Sequence, residues 1–466
     1  MLTQVVAQGT STAVAIVLAH LLTPAEIGLA GMALTFTGLA GLFTDFALGT
    51  ALVQRATITE EDRSTVFWTT MAAGLACTLA GLALAPAVGA FFGTSAVVPL
   101  FAVLSLGFVL SAFGVTQTAL LTREMDFRSL ELRQIAATMV AAVVALVLAL
   151  RGVGAWAIIA QQVTAAAVGS LLVWRLSPWR PTRTFSRASV KSLGSFGLQT
   201  QLSRILGYLN LYADNLLIGR YLGSRPLGIY TVAYNVMFLP LARITIPIQQ
   251  VLFAAFARLQ DDRHRLGLAW LRGSRLVSAI AVPAFLGMAV VAPEFVPVVL
   301  GSRWHEVVPV LQLLSLAGAA QTYQTLNWSV IQARGKPGLL LGFMTFSTVV
   351  TVGAFVFGLH WGIVGVAASY AIARWIVLVG NTWLTCRVTA LSPFLFLRSH
   401  ADVAGIALLM AAVVYGVRVA LTGEVPQALL LALLTVLGVV IYLGLIAWLA
   451  RDVVAEIRTT WSQRGG

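Results

Sequence analysis

IAATMVAAVVALVLALRGVGAWAIIAQQVTAAAVGSLLVW, residues 135–174, holds a single charge, Arg151. A helix needs roughly 20 apolar residues to cross about 30 Å of hydrocarbon. The stretch therefore reads as two membrane spans joined by a tight turn at Arg151-Gly152-Val153-Gly154. The rest of the chain follows suit. Of its 466 residues 59% are apolar and 10% charged, with a mean hydropathy of +0.90. Soluble domains run nearer 45–50% apolar and about 25% charged, and a chain of this size has too little interior to hide the excess. The expected class is an all-α polytopic membrane protein. Apolar runs predict about fourteen helices, near 1–22, 26–54, 64–92, 95–121, 133–150, 153–175, 192–220, 226–256, 274–299, 305–332, 338–359, 361–386, 401–421 and 426–450. Pro283, Pro293 and Pro297 predict a break or kink in the segment 274–299.

The net charge is +13. On a soluble protein that would suggest nucleic acid, but the cations sit between apolar runs, so no nucleic-acid partner is expected. Sorted by loop, 22 of the 30 Lys and Arg fall on one side with the N-terminus inside, and 5 on the other. Cytoplasmic loops carry such an excess. The alternation supports fourteen spans with both termini in the cytoplasm. Arg180, Arg183, Arg187 and Lys191 are spaced so that a helix would put them on one face, against anionic headgroups; ordinary positive-inside bias is the plainer reading. Cys77 and Cys386 lie in apolar segments, and the five histidines have no metal-ligand spacing, so neither metal nor cofactor is expected.

An internal repeat runs at an offset of about 200 residues. TPAEIGLA at 23–30 is echoed by SRPLGIY at 224–230, which sets Gly28 against Gly228. Glu61-Asp62-Arg63 before Trp68 is echoed by Asp261-Asp262-Arg263 before Trp270, Gln117 before TREMDFR by Gln321 before QARGKPG, and RGVGAWA at 151–157 by HWGIVGVA at 360–367. The order of the four matches predicts an N-terminal six-helix lobe at 1–176 and a basic linker at 177–191. A second six-helix lobe follows at 192–388, then an accessory helix pair with a cytoplasmic tail at 389–466. Both lobes then enter from the cytoplasm, as in a parallel repeat. The same offset places the start of the first lobe about nine residues ahead of Met1, so a short basic segment is expected upstream.

DFALGTALVQR at 45–55 and DNLLIGRYLGSRPLGIYTVAYNVMFLPLARI at 214–244 resemble the corresponding segments of bacterial polysaccharide flippases. These are the Wzx type, within the multidrug/oligosaccharidyl-lipid/polysaccharide exporter superfamily. Ala254 departs from the proline common in that family. The resemblance implies a transporter of the bacterial inner membrane. Its substrate would be a lipid-linked (polyprenyl-pyrophosphate) oligosaccharide, with membrane lipids and the polysaccharide polymerase machinery as candidate partners.

Arg204, Arg243 and Arg374 fall inside spans, each roughly 18–20 Å from the cytoplasmic end at 1.5 Å per residue. A mid-membrane charge costs roughly 2.5–3.5 kcal/mol, so it normally faces a cavity or a partner. Three cations at one depth suit an anion-binding layer; the plain alternative is structural pairing. The resemblance implies a less central span for Arg374. Gln199 and Asn210 make the seventh span unusually polar, and Gln4 in the first span aligns with Arg204. These side chains are expected to line a water-filled cleft, or else to bond between helices. Asp45 and Asp214 are candidates either for coupling by H+ or Na+ or for ion pairing. A multidrug exporter would favour an acidic cavity instead, and a glycan polymerase or ligase would need a sizeable outer loop. No catalytic residue is expected.

Overall fold

A computed structural model describes residues 2–45, 48–187, 190 and 197–449, with the side chains at 2–8, 42–45, 197–206, 209–210, 337 and 449 outside that description. Among the described residues there is no strand. Each of the expected segments is met by helix: α1 (Leu2–Leu21), α2 (Pro24–Asp45) with α3 (Leu48–Gln54), α4 (Glu60–Phe92), α5 (Val97–Arg123), α6 (Phe127–Leu150), α7 (Trp156–Leu176) and α8 (Gly197–Tyr221). There follow α9 (Ser224–Pro240) with α10 (Ile246–Arg258), α11 (Arg263–Phe295), α12 (Val307–Ala333), α13 (Pro337–Gly358), α14 (Gly362–Thr389), α15 (Pro393–Leu421) and α16 (Gln427–Leu449). Among the described residues nine helical runs are long and apolar enough to cross a membrane, one of them spanning α13 and α14 together. The chain is a multi-pass, all-α membrane protein.

The helices overrun the apolar runs because polar caps extend them. Thr59 and Asp62 form a reciprocal capping box at the start of α4, and Asp126 and Asp262 accept from the amides of Ser129 and Arg265 at the starts of α6 and α11. The echo of Asp62 in Asp262 is thus a shared device for starting a helix. The Asp126 and Asp262 caps start α6 and α11 well ahead of the apolar runs at 133–150 and 274–299, so that Arg263, Arg265 and Arg272 lie in a helix and not in a loop. The expected break at 274–299 is not found as such. α11 stays α-helical through Pro283 and Pro293, and only Val296–Leu300, with Pro297, shifts to π-helical pairing.

The basic linker is also not a helical face over Arg180 and Arg183. Pro178 and Pro181 keep residues 177–186 out of regular structure. That length of chain is tied across the start of α4: the Thr182 amide donates to Ser64 Oγ at 3.0 Å, Trp68 Nε1 to the Thr182 carbonyl at 2.8 Å, and the Ser186 amide to Thr65 Oγ1 at 2.9 Å. Arg180 turns back on α7 and donates to the carbonyls of Trp174 and Ser177. Lys191 lies outside the described residues.

By its contacts the chain divides into two compact units, Met1–Thr231 and Val232–Gly466, with the boundary inside α9. In the first unit the starts of α2 and α9 touch backbone to backbone. A Cβ on Gly28 would strike the Ser224 carbonyl, and one on Gly228 the Pro24 carbonyl; each would also come within 3.0 Å of the other glycine's amide nitrogen. The repeat's two equivalent glycines therefore meet each other. In the second unit the last two helices are pinned to α11 by polar groups. Arg275 pairs with Asp402, Arg418 Nε donates to the buried Glu294 at 2.7 Å, and Tyr442 Oη donates to the Ala279 carbonyl at 2.6 Å. Lipid is as apolar as leucine, so packing and such bonds must hold helices together.

Two outcomes test these contacts. Gly28→Val, or Gly228→Val, should cost at least the roughly 1–3 kcal/mol typical of overpacking, read as a lower midpoint for thermal loss of the monodisperse peak in detergent. Asp402→Leu should cost about 3 kcal/mol by leaving Arg275 uncompensated, and adding Arg275→Leu should recover most of it, measured in the same assay.

Candidate functional site

Arg243 stands on a π-helical turn, Leu241–Thr245, between α9 and α10. Its cause is local. Pro247 has no N–H to give to the carbonyl four residues back, which is that of Arg243. The Ile246 amide reaches instead to the Leu241 carbonyl, five residues back. The Arg243 side chain is exposed on the protein surface. Its helical run, Ser224–Arg258, places it roughly 22–28 Å from either end at 1.5 Å per residue.

Arg374, in α14, is half-buried. Its guanidinium lies 4.7 Å from the Tyr370 ring centre, and Gln321 Nε2 donates to Tyr370 Oη at 3.0 Å. Gln324 Nε2 donates to the Arg374 carbonyl at 2.7 Å. This aromatic and amide setting fixes the arginine through a cation–π contact. Asp214, in α8, is buried, with one carboxylate oxygen accepting from the Asn215 amide at 2.8 Å. Gln4, Asp45, Gln199, Arg204 and Asn210 lie on helices α1, α2 and α8, but their side chains fall outside the described residues.

Around Asp214, α8 is fastened within the first unit by groups that sequence reading does not single out. Tyr208 Oη donates to the Thr35 carbonyl of α2 at 2.6 Å, and the Tyr208 and Tyr212 rings stack at 4.4 Å. Arg220 donates to the Phe91 carbonyl at 2.6 Å and caps the end of α4. The tyrosines four residues apart on one helix face carry the only sequence signal for this arrangement.

Two further arginines, expected only as topology markers, serve helix ends. Arg123, closing α5, donates to the carbonyls of Leu52 at 3.0 Å and Ala56 at 2.7 Å, just where α3 stops. Arg334, just beyond α12, donates to the Gln260 carbonyl, just past α10. These are corresponding places in the repeat, and in both a cation meets the unsatisfied carbonyls of a helix C-terminus.

The fold and these features define a polytopic all-α membrane protein. Its backbone matches the solved structure of the lipid II flippase MurJ in an inward closed conformation, with a TM-score of 0.79 at 14% identity over 97% of this chain and 99% of that one. An inward-facing multidrug resistance MATE family transporter of the MOP superfamily matches at 0.67 and 19% identity, over 83% of this chain and 95% of that one. The chain belongs to the polysaccharide biosynthesis protein family, which matches residues 17–309. It is 30% identical to the lipopolysaccharide biosynthesis protein WzxC of Escherichia coli over 77% of this chain and 73% of the relative. It is 28% identical to the succinoglycan biosynthesis transport protein ExoT of Rhizobium meliloti, over 95% of this chain and 90% of the relative.

Proposed function

We propose that the protein is a flippase. It carries a polyprenyl-pyrophosphate-linked oligosaccharide repeat unit across the bacterial inner membrane by alternating access, for export of a cell-surface polysaccharide. The observation that carries this reading is the near-full-length likeness to a polysaccharide biosynthesis transport protein, 95% of this chain against 90% of the relative. Arg243 adds a physical reason. A guanidinium in the middle of a span normally faces a cavity or a partner, and arginine forms charge-assisted, often bidentate bonds to phosphate oxygens. A pyrophosphate headgroup offers such oxygens, whereas a cationic drug would be repelled by the charge.

In this reading Arg243, with Arg204 and Arg374, receives the pyrophosphate, and Gln4, Gln199 and Asn210 keep the path wet. Asp45 and Asp214 are the carboxylates from which coupling by H+ or Na+ is built. Both termini face the cytoplasm, and the polymerase machinery takes up the product outside.

Complementation of a deletion strain tests the proposal. Arg243→Ala should lower polymer export about ten-fold or more at normal membrane levels. A hydrogen bond to a charged group contributes about 1.5–3 kcal/mol, and about 1.4 kcal/mol is a factor of ten. Lipid-linked repeat units should build up on the cytoplasmic leaflet, and Arg243→Lys should restore part of the flux. Unchanged lipid-linked pools with altered drug tolerance would favour a multidrug exporter instead.

A further inference from the structure

The first unit holds a cavity that none of the candidate substrate or coupling residues lines. Its volume is about 580 Å3, within the roughly 300–1,000 Å3 of small-molecule sites. Helices α3, α5, α6 and α7 wall it. One end is polar, with Arg133, Gln134, Thr118 and Thr122. The other is a slot between small residues, Gly49, Ala137, Ala166 and Gly169 among them. A cavity that is cationic at one end and apolar at the other has the division of a lipid.

Arg133 is only partly satisfied by the protein. Its Nη1 donates to Thr118 Oγ1 at 2.9 Å, while its buried Nε has no hydrogen-bond partner among the described residues. None of the ion pairs among the described residues includes it. A buried guanidinium N–H without an acceptor is costly, and an anion in the cavity would supply one. The heights also agree. Arg133 is six residues into α6, about 9 Å from its start, and Ala137 about 15 Å, so the polar end sits at headgroup level and the slot within hydrocarbon. Leu132 and Met139 on the same helix are 52% and 49% exposed, as side chains facing lipid would be.

We infer that this cavity binds an anionic glycerophospholipid, with its phosphate on Arg133 and one acyl chain in the slot. Arg123 and Arg175 stand at the same end of these helices. That end is the cytoplasmic one in the proposed orientation, where anionic lipids and basic residues attract. The inference rests on that orientation for the leaflet alone and is independent of the transported substrate. A free phosphate would use the arginine but leave the slot without purpose.

Native mass spectrometry of the full chain in mild detergent tests it, titrating phosphatidylglycerol, phosphatidylethanolamine, a polyprenyl phosphate and inorganic phosphate in parallel. One phosphatidylglycerol should bind in preference to the others and raise the thermal midpoint. Arg133→Gln should weaken it about ten-fold, the loss of one charged hydrogen bond, and Arg133→Lys should recover part. Gly169→Leu should weaken it by filling the slot; a Cβ there meets only Ala137 Cβ at 3.8 Å, so the helix has room for it. Arg128→Gln, at an exposed residue outside the cavity, should leave binding unchanged. Should Arg133→Gln fail to fold, Thr118→Val and Gly169→Leu carry the test. Wild-type binding by the Arg133 or Gly169 variants would overturn the inference. So would displacement by equimolar inorganic phosphate, or tighter binding of the polyprenyl phosphate in the same place.

Discussion

Where Gly28 meets Gly228, two helix starts lie so close that neither tolerates a Cβ. No side chain mediates this contact, so it fixes the height at which both helices begin. From there α2 runs toward Asp45, and α9 toward the π-helical turn that carries Arg243. In a helix every residue added is about 1.5 Å of height.

The second constraint is the absence of water in the hydrocarbon, where every helix end must be satisfied by the protein itself or reach the interface. Arg123, Arg220 and Arg334 answer it in the same way, each covering the carbonyls at the end of a neighbouring helix. Cations that the sequence offers as topology markers thus also close helices. This explains why the cations are so largely arginine, whose planar fork can hold several carbonyls at once, as Arg123 does over Leu52, Arg55 and Ala56.

Much of this arrangement is legible in the amino-acid sequence. Apolar runs locate the helices because length and hydropathy are what a bilayer selects, and the echo of Gly28 in Gly228 already pairs the two residues that touch. What is not legible there follows from groups whose partners are remote along the chain. Arg133 reads as the first residue of an apolar run, at its edge with the loop, yet the Asp126 cap starts α6 a turn and a half earlier. Arg275 reads as one more cytoplasmic cation until Asp402 is seen beside it. The linker is a different case, for Pro178 and Pro181 themselves argue against the helix that the cation spacing suggests.

The prolines have the same standing at the candidate site. Pro240 and Pro247 bracket the turn at Leu241–Thr245, and an apolar span gains nothing in stability from losing an N–H there. Pro283 and Pro293 show that this chain absorbs proline within an α-helix without changing the pairing. The shift to π pairing at Arg243 is therefore not what proline dictates everywhere in the protein. Val296–Leu300, with Pro297, makes the same shift with no charge on it, so what sets the turn at Leu241–Thr245 apart is its exposed arginine, and π-helical turns are frequent at functional sites. An insertion of this kind rotates the residues that follow it relative to those before. That lets one continuous span expose Arg243 while Leu241 and Thr245 of the same turn stay buried.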